Sequence, residues 1–306
     1  MKKFWVDTLC RFIPNEERRK SFREKLMYNP IDDLRGQIEE LRKGVNDIYP
    51  KLETFTTKTE LLKVESDFRR AITPPAPPTD YDFHGENNKL FVWNKEVGDY
   101  VETTKIIPGL VLTIEGNNNT IKIREPEIIE RLELTMLGDG HKFSLGNFTN
   151  KIYDKKIVCL VIFMTMGDCE LVIGDNLVVN PLVIIHMCEY GLKCFIGNNV
   201  RLAAESKIYV SDAHPIIDIE TNKIINYGKR KRVMRIGNNC WIGTGSFIGK
   251  SAELPDYTIV AAQSNVIKPF EESYTVIGGN PAHVLKRGVK RIDTWDEAFE
   301  MTGENN

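Results

Sequence analysis

Between Ile236 and Val266 a branched aliphatic recurs at every sixth position: Ile236, Ile242, Ile248, Leu254, Val260 and Val266. Four places after each of the first five stands a small residue, at Cys240, Ser246, Ala252, Thr258 and Ser264. Glycine follows the aliphatic at Gly237, Gly243 and Gly249. Neither an α-helix nor a flat strand produces a period of six. A short strand and a turn, repeated around a coil of a few sides, does. The aliphatic then points inward and stacks on its equivalent in the next coil, and the small residue fits the corner. The pattern predicts a parallel β-helix. A turn-rich β-sandwich would alternate with period two instead.

The same period holds at Ile173, Val179 and Ile185, and again at Ile196, Leu202 and Ile208, with one residue missing between the two groups. Upstream the repeat is looser. Polar turns at Gly85, Gly116, Gly138 and Gly167 each precede an alternating strand, and their uneven spacing predicts insertions in the early coils. The pattern stops at Ile208 and resumes at Ile236, so residues 209–235 leave the coil as a loop. A long loop on a rigid solenoid is where function tends to sit. The β-helical domain is expected over 80–282, followed by a tail, 283–306, with a short C-terminal helix.

The front of the chain has another rhythm. From Asn29 as N-cap and Pro30 as first helical residue, apolar positions step by three and four through Ile31, Leu34, Ile38, Leu41, Val45, Ile48, Leu52 and Phe55. That spacing predicts a coiled-coil-like helix over 30–55, with Pro50 kinking or ending it. A capping box at Thr57 and Glu60 opens a further helix over 58–71. Residues 1–28 are basic and aromatic, with Trp5, Leu9 and Phe12 on one helical face. Such a segment suits either an anionic membrane surface or a dock on its own protein. The helical region therefore spans 1–72, and the Pro-rich stretch 73–79 is an extended linker.

Composition narrows the class. The 306 residues carry a formal net charge of -2, which argues against a dedicated nucleic-acid binder. No apolar run approaches the length of about 20 residues that a membrane-spanning helix needs, and Asp7 and Arg11 interrupt any apolar core of a secretion signal. The six cysteines form no CxxC pair, as expected of reduced thiols in a cytoplasmic protein. There is no HxH, no HExxH and no other metal set, so no metal is expected. His84 and His141 fall in turn segments, and His186, next to an inward Ile185, reads as a surface rung residue.

Taken together, the stacked hexads, Ser211-Asp212-Ala213-His214-Pro215 in the loop, Cys240-Trp241-Ile242-Gly243 and Ile277-Gly278-Gly279-Asn280-Pro281-Ala282 resemble the hexapeptide-repeat acyltransferases. More narrowly they resemble O-acetyltransferases of bacterial surface polysaccharides and sialylated glycans. The resemblance covers residues 85 to 288 and implies a left-handed β-helix, a homotrimer, and acetyl-CoA held in the groove between neighbouring subunits. The acceptor would be a saccharide hydroxyl of a capsule, a lipopolysaccharide or a sialylated chain.

Moving an acetyl group from a thioester to a hydroxyl needs a base, and imidazole titrates close to working pH. By resemblance that base is His214. Asp212 either orients the ring, as in a triad, or fixes the turn through backbone bonds. The oxyanion needs a donor, either a backbone amide of the facing coil or the indole of Trp241, which matches a family tryptophan near the acetyl end. Resemblance further places Thr244 and Ala262 along the pantetheine, and Lys268, His283 and Lys286 at the nucleotide phosphates. The family more often has arginine or lysine where His283 stands, and glycine near Ala261 and Gln263. The run Lys229–Arg232, with Arg235, is either a solvated face or an attractor of CoA phosphate or anionic glycan.

Two other readings compete. An N-acetyltransferase of a nucleotide-linked amino sugar often carries a nucleotide-sugar domain at its front, whereas this front is a coiled coil without GxGxxG. A non-catalytic trimeric scaffold would use the coil only to assemble. Ile31, Ile38 and Val45 with Leu34 and Leu41 favour a two-stranded coiled coil, while the β-helix favours three subunits; the trimer is expected because the shared groove requires it.

Overall fold

The computed structural model describes residues 81–147, 157–226 and 232–303. The helices expected within 1–72, the linker 73–79 and Lys229, Arg230 and Lys231 of the basic run lie outside them. The described chain winds into a coil with three faces. Face 1 has eight strands, running from Asp82–His84 to Asn265–Val266. Face 2 also has eight, starting with Lys89–Asn94 and ending with Glu253–Leu254. Face 3 has six, from Val178–Val179 to Ala282–Arg287. The chain visits the faces in the order 1, 2, 3. Neighbouring rungs pair parallel except at the two ends, where Asp99–Glu102 and Ala282–Arg287 fold back antiparallel.

The hexad aliphatics make the core. Ile242, Ile248 and Val266 are fully buried, and Ile236, Leu254 and Val260 nearly so. The small residues Cys240, Ser246, Ala252, Thr258 and Ser264 are buried at the corners, as their size requires. Rung spacing along the chain varies widely. On face 2 the steps between the stacked residues Leu90, Ile121, Phe143, Leu171, Cys194 and Met234 are 31, 22, 28, 23 and 40 residues, while Ile236 to Leu254 takes 18. Three hexads account for the last figure, and insertions at corners account for the rest.

The corner between faces 1 and 2 is built on a column of glycines. Gly116 has φ +136, and a Cβ there would lie 2.1 Å from the Gly138 carbonyl oxygen. No L side chain fits that approach. The corner between faces 2 and 3 is instead a ladder of amides and carboxylates: Asn198 N donates to Asn238 Oδ1 at 2.9 Å, and Asn238 N to Asp256 Oδ1 at 2.7 Å. A short C-terminal helix, α1 (Trp295–Thr302), follows, capped by Thr294, whose hydroxyl accepts from Glu297 N.

Candidate active site

The chain leaves face 1 after Lys207–Tyr209 and rejoins the coil on face 2 at Val233–Ile236, so the intervening arm projects from the corner between them. Its root is buried: Ser211 packs inside, and its Oγ accepts from Cys188 N at 3.2 Å. Ala213 adopts a left-handed backbone, φ 62, which turns the chain outward just before His214. Farther out, Ile217–Asp218 and Lys223–Ile224 pair as a small antiparallel hairpin. Asp218 Oδ1 closes its turn by accepting from Thr221 N at 2.7 Å and Thr221 Oγ1 at 2.8 Å.

Two residues that the sequence reading missed hold this arm. Asn226 Nδ2 donates to the His214 carbonyl at 2.8 Å and to Asp212 Oδ2 at 3.0 Å, while its Oδ1 accepts from Ile216 N at 2.8 Å. Lys250 reaches across from a later coil. Its Nζ donates to Glu189 Oε1 at 3.1 Å, Asp212 Oδ2 at 3.2 Å and Asn226 O at 2.9 Å, and its side chain is only 8% exposed. The Asp212 carboxylate is therefore engaged at the root of the arm by Lys250 and Asn226. The only sequence signal for Lys250 was a long cationic side chain at a corner position where neighbouring hexads carry Asn238, Thr244 or Asp256.

Under the arm lies a cleft of about 260 Å³, with His214 and Pro215 on one side and Met166, Cys188 and Tyr190 on the other. Beside it His186 points outward from face 1, between Phe163 and Tyr209, with ring centroids 6.0 and 4.9 Å away. Its Nε2 stands 2.9 Å from Cys188 Sγ, and its Nδ1 is buried with no hydrogen-bond partner. Burial pulls the imidazole down to about 4 and pushes the Cys188 thiol up to about 12. Both groups are neutral at pH 7, joined by one hydrogen bond between Sγ and Nε2.

A second group of expected residues gathers elsewhere. Trp241, 42% exposed, stands on face 3 in a groove of about 330 Å³. The C-terminal segment forms the opposite wall, held by Arg201 Nη2 to Asp293 Oδ2 at 3.1 Å and Arg291 Nη2 to the Asn199 carbonyl at 2.9 Å. Thr244 and Ala262 are exposed one above the other at the corner of faces 3 and 1, where Gln263 N donates to the Thr244 carbonyl at 2.9 Å. His283 and Lys286 are exposed on the last strand of face 3, opposite Gly278 and Val276. Lys268 sits apart from these, at the corner of faces 1 and 2, with its ammonium 5.6 Å from the Phe270 ring centroid. Within one chain, then, His214 with Asp212 and Trp241 with Thr244 and Ala262 lie on opposite edges of face 1.

No protein-family model matches the chain. Over 195 residues it is 30% identical to a protein described as an acetyltransferase, YJL218W of Saccharomyces cerevisiae, covering 62% of this chain and 94% of that one. It is 29% identical over 149 residues to the polysialic acid O-acetyltransferase of Neisseria meningitidis, across 42% of this chain and 65% of the relative. Among solved structures, the polySia-specific acetyltransferase NeuO matches with a TM-score of 0.55 at 22% identity, over 71% of this chain and 89% of that one. The polysialic acid O-acetyltransferase OatWY matches at 0.50 and 24%, over 73% and 97%. These two likenesses are of fold, and that fold is the left-handed β-helix. The chain belongs to the hexapeptide-repeat acetyltransferases.

Proposed function

We propose that this acetyltransferase moves an acetyl group from acetyl-CoA to a hydroxyl of a bacterial surface glycan, with His214 as general base. The observation that carries the reading is the placement of His214 at the mouth of a cleft, on an arm fastened at its root by Lys250 and Asn226. Relatives named for polysialic acid and, in Escherichia coli, for colanic acid biosynthesis support an acidic surface glycan as the acceptor. Acetyl-CoA, when bound, supplies the activated acetyl as a thioester. His214 takes the hydroxyl proton as the oxygen attacks the carbonyl carbon, and hands it to the sulfur as the carbon–sulfur bond breaks. The Trp241 indole or a backbone amide meets the developing oxyanion. Thr244 and Ala262, small and exposed on one corner, suit a pantetheine arm, and His283 and Lys286 on the adjacent strand suit phosphates. Lys268 would have to meet them from another copy.

The separation of the two groups supports a homotrimer, in which the base of one subunit faces the groove edge of its neighbour. The outward positions of face 1 suit burial between copies, since Ile184, Tyr209 and Phe247 are apolar or aromatic. Among the described residues no helix is long and apolar enough to cross a membrane. Acetyl-CoA as donor supports a cytoplasmic location, and residues 1–28 are the proposed peripheral contact with the inner membrane surface. Unchanged co-sedimentation with anionic vesicles after their deletion would remove that contact.

The test of the reaction is incubation with labelled acetyl-CoA and a panel of bacterial glycans, followed by mass. His214→Ala is expected to lower transfer by about 10²–10⁴-fold with an unchanged melting temperature. Full transfer by the variant would end the assignment, and acetylation of amino sugars alone would move the chemistry from oxygen to nitrogen.

A further inference from the structure

We propose that face 2 is a binding track for a carboxylate-bearing polysaccharide, distinct from the cleft at His214. It rests on the glycan reading above and names how a polymeric acceptor would be held. The three faces differ in charge. The outward positions of face 2 hold Lys89, Lys122, Lys142, Lys193 and Arg235, with Arg124 at the edge, against Glu102, Glu170 and Glu253. Face 1 has no such excess: Asp82, Glu115 and Glu133 stand against Lys207 and, at the edge, Arg131, which pairs with Glu133 at 2.6 Å. On face 3 the outward cations are Arg201, paired with Asp293, and Lys286. In a chain of net charge -2, the excess of positive charge on one face is a local feature.

Two of these cations have carboxylate partners: Lys193 with Glu170 at 3.0 Å and Lys89 with Glu102 at 3.7 Å. Among the described residues Lys122, Arg124, Lys142 and Arg235 have none within ion-pairing distance. Three of the four stand over aromatic rings instead. Lys122 Nζ is 5.4 Å from the Tyr100 centroid, Arg124 lies 4.2 Å above Trp93, and Arg235 4.7 Å above Phe195. Lys122, Arg124 and Lys142 crowd onto two adjacent rungs, with Arg235 farther along the same face, so a ligand carrying repeated negative charge is stabilised there. A ring beside three of the four cations offers the second half of a sugar acid's surface, apolar ring face against aromatic ring and carboxylate against cation.

Phe91, Lys122, Ser144, Val172, Phe195 and Arg235 occupy successive rungs. At about 4.8 Å per rung the column runs about 24 Å. It ends beside the arm: Arg235 is on the first strand after it, and Arg232 Nη1 donates at 3.1 Å to the carbonyl of Tyr190, which lines the cleft. A chain lying on face 2 therefore leads to His214.

The experiment uses the full chain and two fluorescent carboxylated polymers, polysialic acid and alginate, with dextran and a single-stranded oligodeoxynucleotide as comparators. Fluorescence polarisation is read at several salt concentrations for the wild type and for a variant combining Lys122→Ala, Arg124→Ala and Lys142→Ala. The acidic glycans are expected to bind the wild type more tightly than dextran or the oligonucleotide. The variant should weaken them roughly tenfold and flatten the salt dependence. Its melting temperature, and kcat with a short acceptor, should stay unchanged, while KM for a long acceptor rises. Equal affinity of variant and wild type, binding of dextran or DNA as tight as that of the acidic glycans, or no binding of either acidic polymer overturns the proposal. Glycan acetylation that is indifferent to the triple variant removes the track and leaves the reaction; track binding without acetyl transfer to any glycan does the opposite.

Discussion

Lys250 shows how much of this site hangs on one side chain. Its ammonium sits between Glu189 and Asp212, whose side chains are 18% and 32% exposed. Lys250→Met would leave two partly solvated carboxylates facing each other with no cation between them. A stability loss of about 1–2 kcal/mol is expected in denaturant titration, below the full cost of breaking a buried pair because water reaches both acids. Acetyl transfer should fall by about tenfold or more, since the base loses its fixed position; an unchanged kcat would show that the arm holds without it. His186 makes a separate prediction. Its folded-state pKa is depressed to about 4 from 6.5 by burial, so between those values the unfolded chain binds the extra proton. The contribution is fully present above pH 6.5 and is lost as pH falls toward 4, on the order of 3 kcal/mol in all. His186→Phe, set among Phe163 and Tyr209, should flatten the stability curve across that window, and melting temperatures at pH 4.5 and 7 measure it.

Single elements here are short, often two residues, and owe their order to stacking. Ile242→Ala should cost about 2–5 kcal/mol, because the side chain is fully buried in the stack. Gly116→Ala should be at least as damaging, since its Cβ would overlap the Gly138 carbonyl in a left-handed backbone, and expression with loss of cooperative melting would reveal it. The coils from Ile236 to Val266 were legible because each side of the coil takes one hexad, so inward aliphatics and corner residues keep a fixed spacing. The departure of the arm from the coil showed for the same reason, as a gap in that spacing. Lys250 did not, because its partners Glu189, Asp212 and Asn226 lie 61, 38 and 24 residues away. The face 2 column was hidden likewise: its neighbours Phe91, Lys122, Ser144, Val172 and Phe195 are separated by unequal insertions, and only the paired register aligns them.

At the scale of the molecule, one chain holds its candidate base and its candidate coenzyme groove on opposite edges of face 1. Mixing two inactive variants tests whether copies share a site. His214→Ala lacks the base, and Thr244→Trp fills the groove edge. Coexpressed, they should recover a measurable fraction of wild-type transfer, and intact-particle mass should read three chains; no recovery, or a dimer, would remove the shared groove. The 40-residue step from Cys194 to Met234 has a consequence of its own. Those two residues are neighbours on adjacent rungs, so everything inserted between them beyond one turn of the coil is mechanically optional. Architecture and the candidate base are thus written in separable passages of the text. The tower can be inherited unchanged while the appendage is exchanged, and a new chemistry on the same masonry requires only that its two ends meet where Tyr209 departs and Val233 returns.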